Sequence, residues 1–126
     1  MLNQIVLVGR LTRDIEVHKG DSGMKVATIS LAIPRSFKNA DGVYDTDFVD
    51  CVAFDNIAEN TSEYCGKGDI VGIKGRVQTR QVENDEGEKK TLKEIIAERV
   101  TFLSNSKEKE ESKKETSKEN DDEMEM

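Results

Sequence analysis

The stretch Asp47-Phe48-Val49-Asp50-Cys51-Val52-Ala53-Phe54 decides how the rest of the chain is read. Side chains in a strand alternate between the two faces of a sheet. One face therefore carries Val49, Cys51 and Ala53, small apolar groups suited to a core. The other carries Phe48, Asp50, Val52 and Phe54. Burying a carboxylate between large apolar groups is costly, so this second face is expected to be open. It nevertheless shows two of the chain's four phenylalanines, in a sequence with no tryptophan. Flat rings on an open sheet face are what stacking of unpaired bases requires. The plainer reading packs this face under a loop or a partner subunit, since aromatic side chains more often serve a core.

Working outward, the turn Asn39-Ala40-Asp41-Gly42 precedes this strand. Before the turn lies another long strand, Met24 to Pro34, with Ala27, Ile29, Leu31 and Ile33 on one face and Val26, Thr28, Ser30 and Ala32 on the other. Pro34 is expected to end regular pairing or mark an edge, and Phe37 follows between Arg35 and Lys38 nearby. Residues 3–8 read Asn-Gln-Ile-Val-Leu-Val, a stretch apolar from Ile5 on that is expected to be buried on both sides or paired with a partner. Gly9 follows as a bend. Ile15 and Val17 continue a short strand, turned by Lys19-Gly20-Asp21-Ser22-Gly23.

After Phe54 the period changes to that of a helix, with Ile57, Thr61, Tyr64 and Cys65 on one face. Asp55 or Asn56 can cap this helix, Asn56 with Glu59 having the spacing of a capping box, and Gly66 and Gly68 end it. Asp69 to Gln78 reads as a strand curved at Gly72 and Gly75. An acidic tip at residues 83–88 joins it to a last strand, Thr91 to Leu103, with a bulge expected near Ile95-Ile96. Three strands, a short helix and two strands, with glycines that permit strong curvature, predict an all-β fold: a five-stranded Greek-key barrel of the OB type. Gly9-Arg10-Leu11-Thr12-Arg13 echoes Gly75-Arg76-Val77-Gln78-Thr79-Arg80, which marks two similar bends and no repeat of fixed period.

The chain has 126 residues, enough for one domain, placed at residues 1–104 with a tail at 105–126. The tail holds 5 lysines and 9 acidic residues and has only Met124 and Met126 to bury, so disorder is expected there. The net charge of −7 argues against a uniformly basic nucleic-acid binder. Much of it lies in the tail, however, and a locally basic groove on residues 1–104 is compatible with the remainder. No apolar run approaches the ~18 residues of a membrane span, and the start is not a signal peptide. A cytoplasmic location is expected. Cys51 and Cys65 make neither a disulfide framework nor a metal spacing and read as inert buried thiols. One histidine, His18, supplies too little for a metal site, so neither metal nor cofactor is expected. No paired carboxylates, Ser/His/Asp set or phosphate loop points to an enzyme.

These residues together resemble the bacterial single-stranded DNA-binding protein (SSB) family over roughly residues 1–104. The resemblance rests on Met-Leu-Asn-Gln-Ile-Val-Leu-Val-Gly-Arg-Leu-Thr-Arg-Asp-Ile-Glu at the start, on Val-Ala-Thr-Ile-Ser-Leu-Ala, and on Asp-Phe-Val-Asp-Cys-Val-Ala-Phe. Ala-Glu-Asn and Lys-Gly-Asp-Ile-Val-Gly-Ile-Lys-Gly-Arg-Val-Gln-Thr-Arg complete it. It implies a homotetramer that binds single-stranded DNA without sequence preference in replication, recombination and repair. It places Phe37, Phe48 and Phe54 as stacking rings and Arg35, Lys38, Lys67, Arg76 and Arg80 as phosphate contacts; Arg10 joins that set. It also implies docking of replication and repair proteins on the acidic C-terminal tip, here Asp121, Asp122, Glu123, Met124, Glu125 and Met126.

Three positions depart from the family. Val82 stands where a stacking ring is usual, Asp50 stands where the family tends to a neutral or basic residue, and the tip lacks the family's final Pro-Phe pair. Other readings of the same residues are weighed alongside. Arg10, Arg13, Arg76 and Arg80 also read as solvated barrel rims. Tyr64 reads as packing, and Tyr44 either stacks on a base or covers the barrel mouth. The alternative to DNA binding is an OB-fold binder of RNA, or a primosome-type accessory or scaffold protein.

Overall fold

The computed structural model describes residues 1–104, and the tail and tip named above lie outside the described residues. The elements are β1 (Ile5–Leu11), β2 (Val17–Lys19), β3 (Lys25–Lys38), β4 (Tyr44–Phe54), α1 (Asp55–Tyr64), β5 (Ile70–Glu83) and β6 (Lys89–Phe102). The sheet runs β1-β5-β6-β4-β3, and β1 pairs again with β3, so five strands close on themselves. The β4–β6 contact is parallel, through Cys51 with Ile95 and Val52 with Ile96, and every other pairing is antiparallel. This is the five-stranded OB barrel, with β2 added as a short hairpin partner of β3.

Alternation fills the barrel. Leu11, Ala27, Ile29, Leu31, Cys51, Ala53, Val71, Ile73 and Ala97 are buried inside it, and Ala58 of α1 and Cys65 cover one end. The apolar first strand is not buried on both sides. Leu7 and Leu11 face the core while Val6 and Val8 stand outside, 65% and 51% exposed.

Two glycines set the curvature by close approach. A Cβ on Gly75 would lie 2.1 Å from the Ile96 carbonyl oxygen, and one on Gly9 would lie 2.8 Å from Ile33 Cγ1. The bulge expected near Ile95-Ile96 lies slightly beyond it. Gly75 pairs with Ala97 and Lys74 with Arg99, leaving Glu98 as the extra residue. Regular pairing with β4 ends at Pro34, as expected, but the strand itself continues to Lys38 after a two-residue register shift between Pro34 and Lys38.

The capping box is not formed. Phe54 is the N-cap of α1 and no side chain caps the helix. Asp55 takes the first helical position at φ 49°, and its carboxylate accepts instead from the Lys25 backbone N–H at 3.2 Å. The helix is held to β3 by Lys25 and Glu59, which form an ion pair. Tyr64 packs as expected, its ring centroid 5.8 Å from that of Phe102.

Candidate nucleic-acid interface

The outer face of β3 and β4 is assembled by register. Opposed pairs are Val26 with Phe54, Thr28 with Val52, Ser30 with Asp50, and Ala32 with Phe48. Opposed residues share a face, so Phe48 and Phe54 lie on the same side with Asp50 and Val52 between them. At about 3.3 Å per residue they stand roughly 20 Å apart along the strand. Phe48 is 75% exposed, with no loop among the described residues covering it, whereas Phe54 is half-buried beside the start of α1.

Arg10 of β1 opposes Ala32, which opposes Phe48. Arg10, Ala32 and Phe48 therefore form one row across three strands, with a cation at one end and an open ring at the other. A groove of about 500 Å³ borders this row, lined by Val8, Gly9, Arg10, Ala32, Pro34 and Thr46. A second row runs Thr28, Val52, Ile96 and Arg76 through the parallel contact.

Phe37 sits apart from these rings. It is 62% exposed on the ribbon that β3 and β4 extend beyond the barrel, and the Arg35 guanidinium lies 6.0 Å from its ring centroid. Arg35 in turn donates to Asp47 through Nε (3.1 Å to Oδ2) and Nη2 (3.0 Å to Oδ1). Asp47 precedes Phe48 on a regular strand and so points to the opposite face. Phe37 thus lies with Arg35 and Asp47 across the ribbon from Phe48. Near the tip, Lys38 Nζ is 5.7 Å from the Tyr44 ring, a second cation–ring contact.

The six cations expected at phosphates fall into two groups. Arg10, Lys38, Lys67 and Arg76 have no carboxylate at ion-pair distance among the described residues, and Arg76 Nη2 donates to Gln78 Oε1 at 3.2 Å. Arg35 pairs with Asp47, and Arg80 pairs with Glu94. Asp47's hydrogen bonds raise the Arg35 pKa, and the same bonds hold the Asp47 carboxyl below the usual carboxylate range. Lys67 lines a separate polar cleft of about 450 Å³ with Thr12, Arg13, Asp14, Glu16 and His18. That cleft meets the outer face at Thr28.

The sequence reading did not find the two carboxylate partners, because seeing them requires the register between strands. Arg13 is more than a rim charge: its Nε donates to Ser30 Oγ at 3.1 Å, on the residue directly opposite Asp50. Val82 lies half-buried on the β5–β6 ribbon and adds no ring there. Burial pushes the Cys51 thiol up to about 11, which keeps it protonated and unreactive at neutral pH. Among the described residues no group of histidine, cysteine or carboxylate side chains is arranged to hold a metal. No helix among them is long and apolar enough to cross a membrane.

A closed five-stranded barrel with an open face of rings and cations defines an OB-type module built to bind an extended polymer. The comparisons with known proteins narrow that class. The model of the single-strand binding protein family matches residues 2–103, and the chain belongs to this family, one of binding proteins and not enzymes. It is 47% identical over 103 residues to the "Single-stranded DNA-binding protein B" of Bacillus subtilis, covering 82% of this chain and 91% of that protein. It is 46% identical over 103 residues to the "Single-stranded DNA-binding protein 1" of Staphylococcus aureus strains Mu50 and COL. The matched part covers 82% of this chain but only 66% and 62% of those two proteins.

Proposed function

We propose that this protein binds and protects single-stranded DNA without sequence preference, and serves replication, recombination and repair in the cytoplasm. The observation that carries the reading is Phe48, an open ring in the middle of an OB barrel face, in a row with Arg10, in a chain of the single-strand binding protein family. Stacking is tolerant of sequence because every base has a π-face, and cations that track phosphates add affinity without reading bases. Phe48, Phe54 and Phe37 are the stacking rings. Arg10, Lys38, Lys67 and Arg76 meet phosphates directly, and Arg35 and Arg80 do so after leaving their carboxylates.

The partners proposed are single-stranded DNA, further copies of this chain, and replication and repair proteins. Val6 and Val8, exposed on β1, and Leu103 beside them at Gly72 give an apolar surface suited to assembly as a homotetramer. The acidic tip from Asp121 to Met126 is the proposed docking segment for the replication and repair proteins.

Fluorescence anisotropy with labelled oligo-dT, oligo-dC and mixed-sequence strands tests the function, with mass in solution measured on the same samples. Similar affinities for the three strands and weak competition by duplex DNA are expected. Preference for structured RNA over oligo-dT would overturn the reading in favour of the RNA alternative.

A further inference from the structure

Two of the arginines proposed to meet phosphates are held by carboxylates of the same chain. Asp47 holds Arg35 by both oxygens, with Oδ1 3.0 Å from Nη2 and Oδ2 3.1 Å from Nε, and Asp45 Oδ2 lies 3.9 Å from Nη1. Glu94 holds Arg80 through Nε. Carboxylate and phosphate take a guanidinium in the same forked geometry. We propose that Asp47 and Glu94 are internal stand-ins for phosphate, so that the strand binds Arg35 and Arg80 by exchange, carboxylate for phosphate. The proposal rests on the single-stranded DNA reading above and names the residues that set its affinity and salt response.

The two pairs are built to open. The Arg35 and Asp47 side chains are 43% and 49% exposed, and a half-exposed pair is weak enough to yield to a polyanion. In the other pair Arg80 is 57% exposed and Glu94 only 19%. Arg80 is therefore the mobile member. Glu94 stays on β6, opposite Gln78 and diagonal to Arg80, which opposes Leu92. Both arginines are neutralised by these carboxylates, so the two ribbons are less positive than their count of cations.

Exchange has a consequence for salt. A phosphate that takes a free cation releases the counterions condensed on it. A phosphate that takes an arginine from a carboxylate also leaves a bare anion, which recaptures a cation from solution. The net release is smaller, and the salt slope is shallower than the number of phosphate contacts.

The test measures oligo-dT affinity against salt for the full chain and for Asp47→Asn, Glu94→Gln and Asp85→Asn. The last removes one charge from the β5–β6 turn, away from any arginine pair described here. Thermal midpoints confirm folding, and Asp47→Asn decides the matter if Glu94→Gln proves unfolded. Asp47→Asn and Glu94→Gln should each bind about two- to fivefold tighter at low salt, the scale of one exposed ion pair. Their slopes should steepen by up to roughly 0.7. Asp85→Asn should change neither appreciably. In an Arg35→Ala background the gain from Asp47→Asn should vanish. Unchanged or weaker binding by Asp47→Asn, or an equal gain from Asp85→Asn, overturns the exchange while leaving DNA binding itself intact. Failure of the unsubstituted chain to bind oligo-dT overturns both.

Discussion

The tips of the β3–β4 and β5–β6 ribbons are built alike. In each, an asparagine side-chain oxygen accepts two backbone N–H groups: Asn39 from Asp41 and Val43, Asn84 from Glu86 and Glu88. In each, a glycine three residues on takes positive φ, 79° at Gly42 and 81° at Gly87. Each asparagine's own backbone N–H then closes its turn, Asn39 donating to the Val43 carbonyl and Asn84 to the Glu88 carbonyl. This is one Asx turn used twice. The loads differ. The β3–β4 ribbon carries Phe37 and Tyr44, each with a cation near its ring. The β5–β6 ribbon carries Val82 and an acidic tip from Glu83 to Glu88. Turn chemistry therefore fixes the shape of a ribbon, while the residues flanking the turn decide whether it suits a polyanion.

The harshest way to break the comparison is to remove the barrel that holds both ribbons. Gly75→Ala sets a Cβ against the Ile96 carbonyl, a backbone contact that can be relieved only by moving a strand. A loss of about 3 kcal/mol or more is expected, at or above the upper end of ordinary overpacking. Chemical denaturation would check it, and a stable variant would mean that β5 and β6 can separate at that point.

The next test sets a position on one ribbon's strand against its counterpart on the other. Phe48→Ala should weaken oligo-dT binding by roughly 1–3 kcal/mol, and Phe37→Ala by roughly 1 kcal/mol, because a single stack is lost in each. The thermal midpoint should hold, since both rings are exposed. Val82→Ala should leave affinity unchanged. Phe48→Ala that unfolds the chain would return this ring to the core.

Transferring a ring tests the comparison in reverse. Val82→Trp should tighten binding by up to about 1 kcal/mol, the low end for one stacked base, as measured by anisotropy at fixed salt. No gain in a folded variant would place the DNA path away from the β5–β6 ribbon. The smallest effect is expected at Asp50, whose charge lies on the outer face opposite Ser30. Asp50→Asn should gain a few tenths of a kcal/mol at low salt and nothing at high salt, where the charge is screened.

The barrel was legible because burial imposes a strict period. Cys51 and Ala53 are fully buried while Phe48 and Asp50 are exposed, as the alternation of one strand demands. Strand ends were less legible. Pro34 does end the regular register, as its missing N–H leads one to expect, but the ribbon continues to Lys38 after a two-residue slippage against β4. The helix start was misread for a related reason: Asp55 bonds to the Lys25 backbone across the chain and leaves Asn56 no capping role. At the candidate site, residue types and the open face could be read from sequence. The pairing of Arg35 with Asp47 and of Arg80 with Glu94 could not, since each depends on which residues two strands bring side by side. The separation of Phe37 from Phe48 likewise follows from Arg35 reaching Asp47, a contact that no spacing announces.

The parallel contact between β4 and β6 has a consequence for how the chain is made. β4 can pair with β3 as soon as its own hairpin leaves the ribosome, but its other edge waits for Ile95 and Ile96. Until then Cys51 and Val52 border an open sheet edge, the kind of edge that pairs with other chains. Such non-local closure is slow compared with hairpin formation. A nascent chain halted within β5 should therefore depend on chaperones and aggregate readily, while one released beyond Phe102 can close the barrel and withdraw that edge.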